Sequence, residues 1–145
     1  MSDETKIENK IEEKNNEQKK QSDVVQNVAV QNVDQNNIVT FNDWMKVELR
    51  VGKIEVVEDV VGKDKLYKFS VNFGEMGKRT ILAGLKQYYT KEELLNKKTV
   101  FVFNLSPRPL AGSVSQGMIL AAKTIEGKYK IVSIDDSVVE GTRLE

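Results

Sequence analysis

The residues best suited to chemistry in this chain lie in one segment, Asn104–Met118, which reads NLSPRPLAGSVSQGM. The segment combines an arginine, serine hydroxyls and a glutamine amide with both prolines of the chain and two glycines. These groups carry positive charge or exchange hydrogen bonds, but none of them transfers protons readily near neutral pH. The composition of the segment therefore indicates binding rather than catalysis.

Residue types that the chain lacks support the same interpretation. There is no histidine, the commonest general base, and no cysteine, so neither a thiolate metal site nor a disulfide is available. Asp135 and Asp136 are adjacent, so in a strand they would point to opposite faces and could not act as a carboxylate pair. We expect a protein that is not an enzyme and that uses no metal or cofactor.

The elements around this segment are predicted to be strands. In VELRVGKIEV the apolar alternation slips by one residue at Gly52, which predicts a β-bulge there. Residues 67–73 alternate strictly, with the aromatic and valine side chains on one face, and a third strand is expected over residues 79–85. The run Val100–Phe103 is apolar on both faces and predicts a central strand. GMILAAK and YKIVSI predict two further strands joined by a turn at IEGK.

One short helix interrupts the strands. Thr90 and Glu93 have the spacing of a capping box, and Leu94 and Leu95 provide an apolar side, which predicts a helix from Lys91 to Leu95. Five or six short strands with one helix between the third and the fourth is the element order of an OB-fold, an all-β, five-stranded Greek-key barrel. An SH3-like barrel is the structural alternative. In the OB-fold, the segment Asn104–Met118 would lie at the rim where such barrels bind ligands, with Pro107 and Pro109 giving it an extended shape.

The first part of the chain has a different composition. Residues 1–40 carry a net charge of −3 and residues 41–145 a net charge of +3. The stretch up to Ile38 is rich in Glu, Lys, Asn and Gln, and it offers little apolar surface to offset the entropy of ordering. We expect residues 1–38 to form a disordered polar acidic tail, in which the first half could form a transient helix and Val24–Val33 could pair as a strand. Residues 39–145 would form the domain.

The sequence also bears on location. The acidic N-terminal residues do not have the basic and apolar pattern of a secretory signal, and they include no arginine, which a mitochondrial transit peptide would use. No apolar run approaches the length needed to cross a membrane. We expect a cytoplasmic protein without membrane contact.

Five motifs, taken together and in order, resemble the tRNA-binding domain family: FNDWMKVELRVGKI, GKDKLYKFSVNFG, RTILAGL, YYTKEELLNKKTVFVFNL and SVSQGMILAA. This domain occurs at the C-terminus of many methionyl-tRNA synthetases, in stand-alone bacterial tRNA-binding proteins and in the endothelial-monocyte-activating polypeptide group. The resemblance runs from Phe41 to the end of the chain and leaves the tail outside it. It implies an OB-fold that binds tRNA by shape, with little sequence preference.

Within this resemblance, eight residues are candidates for tRNA binding. Ser115 would donate to phosphate or 2′-OH groups, Gln116 would reach a base edge, and Met118 would offer an apolar surface. The basic residues would lie along the phosphate backbone of the tRNA, and Asn104 would organise the turn by hydrogen bonding to main-chain groups. The complete set is Lys53, Lys65, Arg79, Asn104, Arg108, Ser115, Gln116 and Met118. Arg50 is expected to pair with Glu48 or with an acid of another strand instead.

The resemblance implies a non-catalytic module that holds tRNA near an aminoacyl-tRNA synthetase and so assists aminoacylation. Stand-alone bacterial members pair through their terminal segments, which implies a homodimer here, with Val138, Val139 and Leu144 at the interface and Trp44 near it. The small net charge and the single arginine in PRPLAG keep a second function open. CsaA-type chaperones resemble the same family, so a polypeptide-binding or protein-interaction module on this fold is the alternative.

Overall fold

A computed structural model describes residues 34–145, and the chain divides into two units after Phe41. In the first unit, Gln35–Asn37 form a 3-10 turn, and the Asp34 carboxylate accepts a 3.1 Å hydrogen bond from the backbone N–H of Asn36. The transient helix and the Val24–Val33 strand expected in the tail lie outside the described residues.

The second unit contains most of the regular structure. In chain order the helices and strands are α1 (Phe41–Lys46), β1 (Leu49–Val60), β2 (Lys63–Asn72), β3 (Lys78–Ala83), α2 (Lys91–Leu94), β4 (Lys98–Val102), β5 (Arg108–Leu110), β6 (Ser113–Ser115), β7 (Met118–Ile119), β8 (Ala121–Lys123) and β9 (Tyr129–Ile131). A 3-10 turn, Gly74–Met76, joins β2 to β3. The described residues are therefore mostly β, as the sequence predicts, but they include a helix, α1, that the sequence analysis did not predict.

Five strands form one antiparallel sheet in the order β3–β2–β1–β4–β7. β1 holds this sheet together, because its first half pairs with β4 and its second half with β2. Two small antiparallel hairpins, β5–β6 and β8–β9, complete the strands. The short helix predicted between the third and fourth strands is confirmed as α2, with the capping box of Thr90 and Glu93 in place.

The core lies against one face of β2. Tyr67, Phe69, Val71 and Phe73 are all buried, which confirms the alternation read from the sequence. The Phe73 ring packs edge to face against the rings of Phe101 and Phe103, with centroid separations of 5.4 and 5.0 Å, respectively. The prediction of a central strand over Val100–Phe103 is also confirmed, since β4 lies between β1 and β7.

The predicted bulge at Gly52 is wrong. Gly52 pairs in register with Thr99 of β4, and the two register shifts in β1 fall further on, between Ile54 and Val56 and between Asp59 and Val60. Glycine is required at residue 52 for packing, because a Cβ there would collide with side chains from both neighbouring strands. The nearest atoms to that Cβ would be those of Val71, Phe101 and Phe73, at 2.5, 2.9 and 2.8 Å respectively.

The two end strands of the sheet are joined by the residues that precede β7. The backbone N–H of Gln116 donates to the carbonyl of Thr80 on β3 at 2.8 Å, and the Thr80 N–H donates back to the Gln116 side-chain oxygen at 3.1 Å. These bonds occupy the outer edge of β3, since its other edge is paired with β2. The sheet therefore curls so that its first and last strands approach each other without forming a continuous ladder.

The C-terminal segment adds to β1. Gly141 N–H donates to Val51 O at 2.7 Å and Leu144 N–H donates to Leu49 O at 2.9 Å. The Arg50 guanidinium donates to Gly141 O at 2.6 Å and pairs with Glu48, so the pairing expected for Arg50 is confirmed. The end of the chain is thereby fixed to the sheet.

Candidate nucleic-acid interface

The segment Asn104–Met118 contains a β-hairpin, which we call the rim hairpin and define as Arg108–Ser115. β5 and β6 pair through three residues each, and a two-residue turn, Ala111–Gly112, connects them with φ of 51° and 77°. Positive φ at both turn residues is typical of a type I′ turn, which suits the twist of paired strands. The extended shape expected from the prolines is present in β5, which contains Pro109, and the chain folds back on itself only at the turn that follows.

Ser115 anchors the rim hairpin to the sheet. Its side chain is buried, and its hydroxyl oxygen accepts a 3.1 Å hydrogen bond from the backbone N–H of Leu82 on β3. The same hydroxyl donates to Gly117 O at 3.2 Å. Since the proton is used inside the protein, the structure assigns Ser115 to the support of the rim, where the sequence predicted a contact to ligand.

An apolar groove with a volume of about 500 Å³ runs along one side of the rim hairpin. Arg108 and Met118, two of the predicted site residues, both line it, and the Met118 side chain is 46% exposed. Lys65 adjoins the groove through the next residue, Leu66, which is part of its lining. The other lining residues are Leu82, Ala83, Gly84, Leu85, Leu110, Ile119, Leu120, Ala121 and Tyr129.

Tyr129 supplies the groove with an aromatic wall that sequence reasoning missed. Its ring packs edge to face against Tyr88, with the centroids 5.4 Å apart, and against the core. The ammonium group of Lys123 lies 5.9 Å from the centroid of the same ring. The signal was present in GKYK, where an aromatic residue stands between two lysines, but only the fold brings that strand beside the rim.

A polar recess lies on the other side of the rim hairpin, with a volume of about 320 Å³. Its lining residues are Lys68, Thr80, Ser113, Val114 and Gln116. Gln116 is thus the fourth predicted site residue at the rim, after Ser115, Arg108 and Met118, although its side-chain oxygen is occupied by the Thr80 N–H. The groove and the recess share no residue, because the hairpin lines the groove from β5, with Arg108 and Leu110, and the recess from β6, with Ser113 and Val114.

Several cations near the rim have no carboxylate partner. In the part of the chain that the structure describes, ion pairs with carboxylates occupy Lys46, Arg50, Lys78, Lys86, Lys91, Lys98 and Lys128. In the same part, no carboxylate pairs with Lys65, Lys68, Arg108 or Lys123 near the rim, nor with Lys53, Lys63, Arg79, Lys97, Lys130 or Arg143. Uncompensated positive charge is therefore present around the rim hairpin, although it is not confined to it.

Away from the rim, several lysines are paired with neighbouring carboxylates. Asp59 accepts from Lys91 at 2.6 Å and from Lys86 at 3.0 Å, and these bonds hold the pKa of Asp59 below its ordinary value. The same contact with Asp59 raises the pKa of Lys91. A hydrogen bond from Lys78 likewise lowers the pKa of Glu55, with a second contribution from Asn72. These lysines are engaged with the protein's own carboxylates.

Acidic residues also distinguish the rim from the larger cavity of the domain. That cavity has a volume of about 720 Å³, and its lining includes Glu93 and Asp136 beside three lysines. By contrast, no aspartate or glutamate is among the lining residues of the groove or the recess. We place the candidate site at the rim because polyanions are attracted to positive surfaces and repelled by carboxylates.

Two predicted site residues serve as structural contacts away from the groove. The Arg79 guanidinium lies 3.5 Å from the ring centroid of Phe103 and donates to the carbonyl of that residue. Asn104 accepts a 2.8 Å hydrogen bond from the N–H of Glu48 and donates to Lys46 O at 2.6 Å. The expectation that Asn104 bonds backbone is confirmed, although the backbone belongs to the α1–β1 junction.

Lys53 is the remaining predicted residue, and it lies on β1 between its partners Asn72 and Lys98. It lines neither the groove nor the recess. The structure thus brings Arg108, Met118, Gln116 and Ser115 together at the rim with Lys65 beside them. The Arg79 guanidinium also reaches the rim, because it lies 3.5 Å from Gln116 O, whereas Lys53 and Asn104 lie elsewhere.

Two further properties of residues 34–145 bear on function. Within this range, acidic residues do not gather in groups of three that could hold a metal ion. Nor does any helix in the range have the length and apolar character required to pass through a bilayer.

The structure is thus a small β-domain with the groove and the rim hairpin at one edge of a curled sheet. Residues 49–143 match the family described as "Putative tRNA binding domain". The chain belongs to this tRNA-binding domain family.

Relatives and solved structures agree with that assignment. The chain is 44% identical over 106 residues to the methionine–tRNA ligase of Caldanaerobacter subterraneus subsp. tengcongensis, which covers 73% of this chain. The chain spans only 16% of the length of that ligase. Among solved structures, a methionyl-tRNA synthetase related protein from Pyrococcus horikoshii superposes with a TM-score of 0.71 at 33% identity, covering 75% of this chain and 99% of that one. The CsaA chaperone of Picrophilus torridus gives a TM-score of 0.68 at 33% identity, covering 74% and 100%.

Proposed function

We propose that this chain is a non-catalytic module that binds tRNA at the groove and the rim hairpin. The observation that carries the proposal is the acid-free surface around Arg108, Met118 and Tyr129, with unpaired lysines at its border. Uncompensated cations attract phosphates, and an apolar groove with one aromatic wall suits bases and riboses. Membership of the tRNA-binding domain family supports tRNA as the nucleic acid.

The proposed architecture is an OB-fold. Its support is the five-stranded curled sheet, the helix α2 between β3 and β4, and the hydrogen bonds between Gln116 and Thr80 that join the end strands. In an OB-fold the connection between the fourth and fifth strands of the barrel borders the ligand. Here β4 and β7 take those two places, and the connection between them carries the rim hairpin. We place the start of the domain after residue 38, ahead of α1, with residues 1–38 as a tail.

The proposed role is to hold tRNA close to an aminoacylating enzyme in the cytoplasm. Similarity to a methionine–tRNA ligase favours a methionyl-tRNA synthetase as that enzyme. A module of moderate affinity is sufficient for this role, because tethering raises the local concentration of the bound tRNA by orders of magnitude. Shape rather than sequence would select the ligand, since the groove offers few groups that read base edges.

We further propose that two copies pair through α1 and the C-terminal segment. These parts are joined in the domain, because the Arg143 guanidinium donates to Met45 O at 3.2 Å. Apolar side chains there remain open to solvent, with Trp44 41%, Met45 51% and Val139 65% exposed. A two-fold dimer would cover the same patch on both copies.

A second candidate function is the binding of unfolded polypeptide. The similarity to the CsaA chaperone of Picrophilus torridus favours it, as does the apolar lining of the groove. A lining without carboxylates favours the binding of a polyanion such as tRNA, but it gives no preference for an unfolded polypeptide.

One competition assay separates the two functions. Total tRNA bound by the full chain is retained on a filter, and unlabelled competitors are added at equal mass. We expect tRNA to compete fully, while duplex DNA and a permanently unfolded polypeptide compete poorly. If the polypeptide displaces tRNA and binds more tightly, the chaperone function replaces the proposed one.

A further inference from the structure

The two strands of the rim hairpin border surfaces of different chemistry, β5 the apolar groove and β6 the polar recess. On one side, Arg108 and Leu110 line the apolar groove together with Tyr129 and Met118. On the other side, the polar recess is lined by Lys68 and by residues that carry hydroxyl or amide groups, namely Thr80, Ser113 and Gln116. Because a hairpin is only two strands wide, with strands about 4.8 Å apart, both surfaces lie within reach of consecutive nucleotides.

A nucleotide, like this rim, has an apolar part and a polar part. Its base has flat apolar faces, and its ribose and phosphate are polar or charged. Stacking in a double helix covers the base faces, so only an unpaired base can place them against protein. The groove, at about 500 Å³, falls within the range of 300–1,000 Å³ that is usual for small-ligand sites.

The contacts around Tyr129 fit such a base. Its ring is held by Tyr88 and by the core, so it would lose little freedom on binding. Met118 provides an adaptable surface within the same groove, and the exposed Arg108 is a cation at its border. A base entering the groove would therefore meet an aromatic wall and a flexible apolar side chain, with a cation beside them for its phosphate.

We propose that the rim hairpin binds a single-stranded segment of RNA across its two sides. One unpaired base lies in the groove, and the phosphate or ribose of a neighbouring nucleotide lies in the recess near Lys68. This inference rests on the proposed tRNA-binding function and specifies its ligand: an unpaired part of the tRNA, rather than its helical stems.

The test uses a twelve-nucleotide RNA that contains 2-aminopurine, a base whose fluorescence reports stacking. The full chain is titrated with this RNA, first as a single strand and then as a blunt duplex with its complement. We expect the single strand to bind at least tenfold more tightly and its fluorescence to change on binding. Equal affinity for the duplex, or unchanged fluorescence, would overturn the inference.

A variant pair locates the base. Leu110→Glu places a carboxylate in the groove, and we expect it to remove the fluorescence change and to weaken single-strand binding at least tenfold. Ile125→Glu is the matched control, because Ile125 is fully exposed in the turn between β8 and β9 and lines neither surface. If Leu110→Glu does not melt like the parent, Met118→Glu replaces it at a side chain that is already 46% exposed.

Lys68→Ala tests the recess. The variant should bind the single strand more weakly, with a salt dependence reduced by about one unit, since one phosphate contact is lost. The parent chain is measured in parallel with the single strand and with total tRNA. A parent that binds tRNA but not the single strand would refute this inference alone, whereas a parent that binds neither would refute the proposed function.

Discussion

The hydroxyl oxygen of Ser115 accepts a 3.1 Å hydrogen bond from the backbone N–H of Leu82 and thereby fixes the rim hairpin to the third strand. The contact is buried, so no water is at hand to replace it. The position of the groove depends on this bond, because Leu82 lines the groove and Ser115 ends the hairpin beside it.

Replacing Ser115 with alanine is expected to lower the free energy of unfolding by about 1–3 kcal/mol, because the Leu82 N–H is left buried without this acceptor. Urea unfolding measures the effect. Ser113→Ala is the control, since Ser113 lies in the same hairpin and is only half-buried. Equal stability of the two variants would show that the hydroxyl does not anchor the hairpin.

Gly52→Ala is expected to destabilise the domain by about 1–3 kcal/mol through overpacking. The added methyl group would lie 2.5 Å from Val71 Cγ1 and under 3 Å from two phenylalanine rings. Thermal unfolding followed by circular dichroism provides the measurement. The control is Gly62→Ala, where a Cβ meets no atom within 4 Å but φ is 75°, so its cost reports backbone strain alone. A Gly52 variant as stable as the parent would contradict the packing account.

Asp59→Asn should lower Tm at pH 7 but not at pH 2. In the folded protein the hydrogen bond from Lys91, and then that from Lys86, lowers the pKa of Asp59 from its ordinary 3.8. A lowered pKa means that the stabilisation is present above pH 3.8 and is lost as pH falls through the lower, folded value. The effect is small because the pair is exposed to solvent. A difference in Tm that persists unchanged to pH 2 would disprove the ion-pair origin.

Light scattering of the full chain at high micromolar concentration is expected to give twice the mass of one chain. Val139→Asp should reduce the mass to that of a monomer, because it places a charge in the apolar patch proposed as the dimer interface. Val61→Asp is the control, since Val61 is fully exposed in the turn between β1 and β2. A monomeric parent would refute the dimer.

Local signals in the sequence were sufficient for much of the fold. The alternation of residues 67–73 and the capping box at Thr90 are short-range patterns, and the structure contains both. The role of Gly52 could not be predicted in the same way. It depends on side chains from β2 and β4 that pack above it, and these are neighbours in space only.

The site was harder to predict than the fold. The turn of the rim hairpin places Ala111 at a φ of 51°, a conformation usually taken by asparagine or glycine, so the sequence did not signal a hairpin. Tyr129 was missed because its strand pairs with β8 and reaches the groove only in the folded domain. Arg108 and Met118 were identified because the resemblance of the rim segment to the family is local.

The account's central claim is that tRNA binds at the rim, and the salt dependence of tRNA affinity tests it most directly. Arg108→Ala and Lys97→Ala each remove one exposed cation that has no carboxylate partner among residues 34–145, but only Arg108 lines the groove. We predict that Arg108→Ala weakens the binding of all tRNAs alike and reduces the slope of log affinity against log salt by about one unit. Lys97→Ala should leave both quantities unchanged. Equal effects of the two variants, or parental affinity in Arg108→Ala, would contradict binding at the rim.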